Sequence, residues 1–136
     1  MKVKLHRLGR TQELENFVDR MNIGEEFDYN AQFIFIGKSN GELVFVNVFR
    51  LEVMNGQIIP RFIHILLDKP ARRSKFAIDL MKQAEQYLTL LGYKTAFAYI
   101  LHNKTMMGRL AQKFGYVQKG EDNAGKYYWK TIGGGR

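Results

Sequence analysis

The sequence predicts an α/β fold: a mixed, mostly antiparallel sheet with helices on both faces and one parallel crossover. Three observations predict it. Three β-like runs follow one another between Ala31 and Leu67, joined by "SNG" and "NG". Asn-Gly between apolar runs signals a hairpin, because a type I′ turn needs φ > 0 at both central residues. Phe33 to Ile36 and Leu43 to Val46 are apolar at both parities, the pattern of strands covered on both faces. After Pro70 the apolar period becomes helical, and a further β-like run follows. A strand, a helix and a strand of these lengths make a right-handed crossover, which sets the two strands parallel.

Each element has its own signal. "KVKLHRL" alternates polar and apolar and reads as a first strand. Thr11 can cap a helix with Leu14, Phe17, Val18 and Met21 on one stripe and Glu13 and Glu15 in its first turn. "NIGEEFDYN" is a loop. The meander is "AQFIFIG", "ELVFVNVFRLEV" and "QIIPRFIHILL". The next helix places Ala77, Leu80, Met81, Ala84, Leu88 and Leu91 at helical spacing and ends at Gly92, a C′ glycine. "YKTAFAYIL" is the strand expected parallel to "RFIHILL". Asn103 is expected to cap a second amphipathic helix carrying Met106, Met107, Leu110 and Phe114, broken at Gly115. "YVQKG" and "KYYWKTI", joined by "EDNAG", close the fold as a hairpin. With no repeat and no linker, residues 1–132 read as one domain and 133–136 as a flexible tail.

Composition narrows the chemistry. The chain of 136 residues is long enough for a core without staples. It has no cysteine, which excludes disulfides and thiolate nucleophiles or metal ligands. The start lacks a signal-peptide pattern, and no apolar run approaches the ~20 residues of a membrane span. A cytoplasmic protein without a membrane partner is the expectation. Lys plus Arg number 21 against 13 Asp plus Glu, a formal charge of +8. That surplus favours anionic partners, or serves solubility alone. His6, His64 and His102 show no ligand spacing with acidic residues, so no metal site is expected.

The stretch "ARRSKFAIDLMKQAEQYL" places cations at a strand-to-helix junction. A helix start has backbone N–H groups without intrahelical partners and a partial positive charge, and it suits a pyrophosphate. The order of elements and this junction resemble the GNAT superfamily of acyl-CoA N-acyltransferases, over roughly residues 2–132. The family's junction motif is [RQ]-x-x-G-x-[GA]; here Arg72, Arg73, Ser74, Lys75, Phe76 and Ala77 stand in its place, with Lys75 where glycine is usual. A second landmark, Asn before a helix that ends in Gly-Phe or Gly-Tyr, matches Asn103 through Gly115-Tyr116.

The resemblance implies an acetyl-CoA-dependent transfer of an acetyl group to a primary amine, direct and without a covalent enzyme intermediate. It assigns Arg72 to Ala77 to the pyrophosphate, backbone N–H groups of the Ile65–Leu67 segment to the thioester oxygen, and Asn103 to the pantetheine arm. Arg73 and Lys104 meet nucleotide phosphates or are solvated. The usual tyrosine acid four residues before the glycine is absent, since Ala111 stands there. The fourth strand has no glutamate for a base. His64, whose type titrates near neutrality, is one candidate base, or else a hydrogen-bonded core residue. Glu52, which shares a face of the third strand with Arg50, is the other, or else a salt-bridged surface residue. Glu25, Glu26 and Asp28 attract a cationic amine or form a solvated loop. The acceptor, a small molecule or a protein amine, and the oligomeric state are not legible. Two alternatives stay open: a GNAT-fold binding or assembly protein without catalysis, favoured by Lys75 and Ala111, and a basic nucleic-acid-binding module. "KYYWK" interleaves bases and aromatics as nucleic-acid platforms do, or is an ordinary strand.

Overall fold

A computed structural model describes residues 2–72 and 74–133, without the side chain of Ser74. The predicted elements are all present: β1 (Val3–Leu5), α1 (Gln12–Met21), β2 (Phe33–Ser39), β3 (Glu42–Met54), β4 (Gln57–Leu67), α2 (Ser74–Leu90), β5 (Thr95–Leu101), α3 (Thr105–Lys113), β6 (Val117–Glu121) and β7 (Gly125–Thr131). One 3₁₀ turn, Lys69–Ala71, is added between β4 and α2. The sheet order is β1-β2-β3-β4-β5-β7-β6. The β4/β5 pair is parallel, in register at Arg61↔Phe97, and the β1/β2, β2/β3, β5/β7 and β6/β7 pairs are antiparallel. The predicted sheet and its parallel crossover are therefore observed.

The local signals act as expected. Asn40 and Gly41 (φ 53° and 80°) and Asn55 and Gly56 (φ 53° and 78°) are left-handed pairs, the type I′ geometry that Asn-Gly accepts. Thr11 accepts the Leu14 N–H at 3.2 Å and caps α1. Gly92 (φ 101°) closes α2: its N–H bonds the Thr89 carbonyl, and the Tyr93 N–H bonds the Leu88 carbonyl. Gly115 (φ 93°) repeats the device for α3 with Gln112 and Ala111.

Two expectations change. The first strand is shorter than "KVKLHRL": past His6 the chain folds back, with His6 Nε2 bonded to the Gly9 carbonyl at 2.7 Å. Asn103 does not cap α3. The Lys104 N–H closes a turn onto the Leu101 carbonyl at 2.9 Å, which leaves Asn103 one residue outside the cap position. Lys104 occupies that position and has no acceptor to offer.

The chain divides into two compact units, Met1–Arg50 with Ile63–Ala84, and Leu51–Phe62 with Glu85–Arg136. In the first unit, Leu14, Phe17 and Val18 of α1 join Phe27, Ile34, Val46, Val48 and Leu66 in one cluster. β3 is buried at both parities from Leu43 to Phe49. Its other parity belongs to an aromatic set, with Phe35 edge-on to Phe49 at 6.1 Å and stacked on Phe33 at 6.2 Å. In the second unit, Phe62 meets Tyr116 at 5.5 Å and Phe97 stacks on Trp129 at 5.3 Å. β1, at one sheet edge, has three residues. β6, at the other, carries an irregularity between Gln118 and Gly120. No described helix is long and apolar enough to cross a membrane.

Candidate functional site

In the first unit the end of β4, the 3₁₀ turn and the start of α2 bring most of the expected cofactor residues together. Asp68 organises the junction. Its carboxylate accepts the Lys69 N–H at 2.8 Å and pairs with Arg20, and its own N–H bonds the Val44 carbonyl at 2.8 Å. The Lys69 N–H first, and then Arg20, hold its carboxyl below the usual carboxylate range. Arg72 is exposed, and its Nε donates to the Leu67 carbonyl at 2.9 Å, which ties the guanidinium to the end of β4. Lys75 and Phe76 are exposed, whereas Ala77 and Ile65 are buried and Leu67 is half-buried. Ser74 begins α2, and the first turn of that helix holds no acidic residue. Arg73 lies outside the described residues. Asp68 and Arg20 were not foreseen as parts of this junction, although an aspartate just before Lys-Pro is a readable cap signal.

His64 lies on β4 in the same unit and is 5 % exposed. Its ring stacks on Phe27 with centroids 5.0 Å apart. The Asp28 N–H donates to Nε2 at 3.3 Å, so the ring proton sits on Nδ1, which faces Glu25 Oε1 at 3.6 Å. Burial pushes the His64 pKa down, against the attraction of Glu25 and Asp28 and with the repulsion of Arg50. The Asn47 side-chain amide holds the strand there, donating to the His64 carbonyl at 3.0 Å. Two of the three loop carboxylates thus have partners: Glu25 faces His64, and Asp28 pairs with Arg50 at 3.2 Å.

A folded-state pKa below the unfolded one makes stability depend on pH with a definite sign. The unfolded chain binds the His64 proton more readily, so this contribution is present above the unfolded value of about 6.5 and is lost as pH falls below it. The melting temperature of the protein should fall between pH 7.5 and 5.5. His64→Phe, which keeps a ring against Phe27, should flatten that dependence; an unchanged slope would show that other groups carry it.

Glu52 and Asn103 belong to the second unit. Glu52 is half-buried and receives Arg61 Nη1 at 3.1 and 3.3 Å from its two oxygens. Asn103 is exposed in the turn after β5. His102 ties that turn to the β6–β7 connection, its N–H bonding the Ala124 carbonyl at 3.0 Å and its Nε2 the Asp122 carbonyl at 2.8 Å, while the Asp122 carboxylate accepts the Tyr99 hydroxyl at 2.7 Å and the Ala124 and Gly125 N–H groups at 2.9 Å. The shared hydrogen bond pushes the Tyr99 pKa up to about 12. Ala111 is buried, and its carbonyl takes the Phe114 and Tyr116 N–H groups. The aromatics of "KYYWK" are engaged internally: Tyr127 lies against Tyr99 at 4.7 Å, Trp129 is stacked on Phe97, and Tyr128 is buried. No group of three or more His, Cys, Asp or Glu suited to a metal occurs among the described residues.

No family model matches the chain, and no curated protein matches it by sequence. Solved structures do match it in shape. A chimera of the Vibrio cholerae spermidine N-acetyltransferase SpeG and hSSAT superposes with a TM-score of 0.70 at 14 % identity, covering 97 % of each chain. An acetyltransferase of the GNAT family from Streptococcus pneumoniae gives 0.66 at 13 % identity, covering 96 % of this chain and 99 % of that one. A provisionally assigned streptothricin acetyltransferase from Bacillus anthracis, in complex with acetyl coenzyme A, gives 0.63 at 20 % identity over 80 % of this chain and 70 % of that one. Sequence order, sheet topology and these superpositions agree: the chain has the fold of the GNAT acetyltransferases.

Proposed function

We propose that the protein is an acetyl-CoA-dependent N-acetyltransferase that acts on a primary amine by direct transfer. The observation that carries the reading is the junction of β4 and α2, seen within a GNAT fold. The first turn of α2 is free of carboxylates, Arg72 is anchored beside it, and the buried Ala77 side chain is small. That environment fits a pyrophosphate, which the helix start and a guanidinium both favour. Arg72, Lys75 and the backbone of Ser74 to Ala77 would hold the phosphates, backbone N–H groups of the Ile65–Leu67 segment the thioester oxygen, and Asn103 the pantetheine arm. Bound acetyl-CoA would supply a thioester whose acetyl group passes to the amine nitrogen, the CoA sulfur departing as a thiolate.

His64 and Glu52 are the candidates to accept the amine proton. His64 must exchange a partner to do so, because its Nε2 has one lone pair and receives the Asp28 N–H, whereas Glu52 keeps lone pairs beside its contacts with Arg61. The loop bearing Glu25, Glu26 and Asp28 supplies negative charge for a cationic acceptor, whether a small molecule or a protein. The buried Ala111, where the family's tyrosine acid is usual, favours a second reading, a GNAT-fold protein that binds without catalysing.

Calorimetric titration with acetyl-CoA tests the cofactor assignment. Arg72→Ala should weaken binding by about 1.5–3 kcal/mol, the range for hydrogen bonds to charged groups. Lys82→Ala, further along α2, should change it little, because the helix-end field fades within the first turn. Equal losses in both, abolished by salt, would reduce the site to diffuse charge. Binding without acetyl transfer to any primary amine would select the second reading.

A further inference from the structure

Within the second unit, α3 and one face of the β5-β7-β6 strands enclose a cleft of about 180 Å³. On the helix side it is lined by Lys104, Thr105, Gly108, Arg109 and Gln112, which share one face at helical spacing. On the sheet side, Lys126 lies opposite Ile100, and Tyr128 lies between Ala98 and Gln118. The lining includes three cations, Lys104, Arg109 and Lys126, and no carboxylate. None of the three forms an ion pair among the described residues. The acid nearest in register, Glu121 opposite Lys126, instead accepts the Gln118 amide at 3.3 Å.

The second observation is independent of charge. Tyr128 is 95 % buried by its 5 % exposure, lines the cleft, and makes no hydrogen bond with a described residue. Its hydroxyl lies 3.0 Å from the position a Cβ would take at Gly108, so the missing side chain there makes room for it. The hydroxyl itself keeps access to the cleft, so it can donate a hydrogen bond to a group held there. The mouth is also bordered by the start of α3, whose cap residue Lys104 leaves the first-turn N–H groups without a side-chain acceptor.

We propose that this cleft is an oxyanion site that takes a phosphate group, with Lys104, Arg109 and Lys126 supplying the charge and the Tyr128 hydroxyl a hydrogen bond. The proposal does not rest on the acetyltransferase reading. The phosphate belongs either to a nucleotide cofactor or to a separate phosphorylated ligand.

The test is titration of the whole protein with inorganic phosphate at constant ionic strength, followed by calorimetry and by amide shifts of Thr105 to Arg109. Saturable binding in the millimolar range is expected. Arg109→Ala and Lys126→Ala should each weaken it about tenfold, and Tyr128→Phe several-fold. Lys119→Ala, on β6 outside the lining, should leave it unchanged. The absence of saturation, indifference to Arg109→Ala and Lys126→Ala, or an equal loss in Lys119→Ala would overturn the proposal. Repeating the titration with CoA and 3′-dephospho-CoA separates the sources. Displacement of phosphate by CoA alone identifies the 3′-phosphate, binding alongside both identifies a separate ligand, and displacement by both would overturn the assignment of the pyrophosphate to the start of α2.

Discussion

Lys130→Met should lower the unfolding free energy by about 3–5 kcal/mol, the loss seen when one partner of a buried ion pair is removed. Lys130 Nζ lies 2.9 Å from both oxygens of Glu85 and 2.6 Å from the Phe114 carbonyl. The two side chains are 20 % and 8 % exposed. The substitution keeps the length of the aliphatic stem but removes the ammonium that both oxygens of a buried carboxylate and a helix-end carbonyl share. A second variant separates the pair from the packing around it. Glu85→Leu combined with Lys130→Met removes both charges and should recover most of the loss, because the penalty lies in keeping a buried carboxylate after its ammonium has gone. Urea unfolding of the two variants measures this. A loss under about 1 kcal/mol in Lys130→Met would place the pair among solvated surface bridges.

Phe49→Ala should cost about 3–5 kcal/mol. The Phe49 side chain is fully buried in β3 and meets Phe35 edge-on at 6.1 Å. Truncation forfeits its transfer free energy, leaves a cavity in a strand covered on both faces, and removes a ring contact worth about 0.5–1.5 kcal/mol beyond area. Phe49→Leu refills most of the space and should lose clearly less. Near-equal losses for the two variants would mean that the site collapses around either residue.

What the sequence made legible was local. Asn-Gly at positions 40–41 and 55–56 set both hairpins, Thr11 set the start of α1, and Gly92 and Gly115 set two helix ends, because each needs only its own backbone geometry. The double-sided burial of β3 was also readable at its start, since Leu43 to Val46 are apolar at both parities; the structure extends it to Phe49. The misplaced cap at Asn103 shows the limit of that reading: a single carbonyl, that of Leu101, decides which residue precedes the helix, and no spacing rule records it. The candidate site was harder still. The partners of His64 are a backbone N–H and a carboxylate from a loop 36 to 39 positions away, and Lys130 meets Glu85 across 45 residues. Neither the tautomer of His64 nor the neutralisation of Glu85 can be written in periodicity. The cleft beside α3 was hidden for the same reason, because Gly108 and Tyr128 become neighbours only once β7 lies beside β5.

The ends of the sheet bear on how the protein behaves in a crowded solution. An exposed strand edge is a template onto which another chain can add, and long flat apolar edges invite aggregation. Here β1 offers only three residues and is flanked by Lys2 and Lys4, one of them within it. β6 offers a kinked edge, with its register shifted between Gln118 and Gly120 and with Lys119 exposed on it. Short length and charge at one end, and a bulge and charge at the other, leave few consecutive backbone groups for a second molecule to pair with. The same sheet that is broad and apolar inside is therefore a poor seed for its own extension.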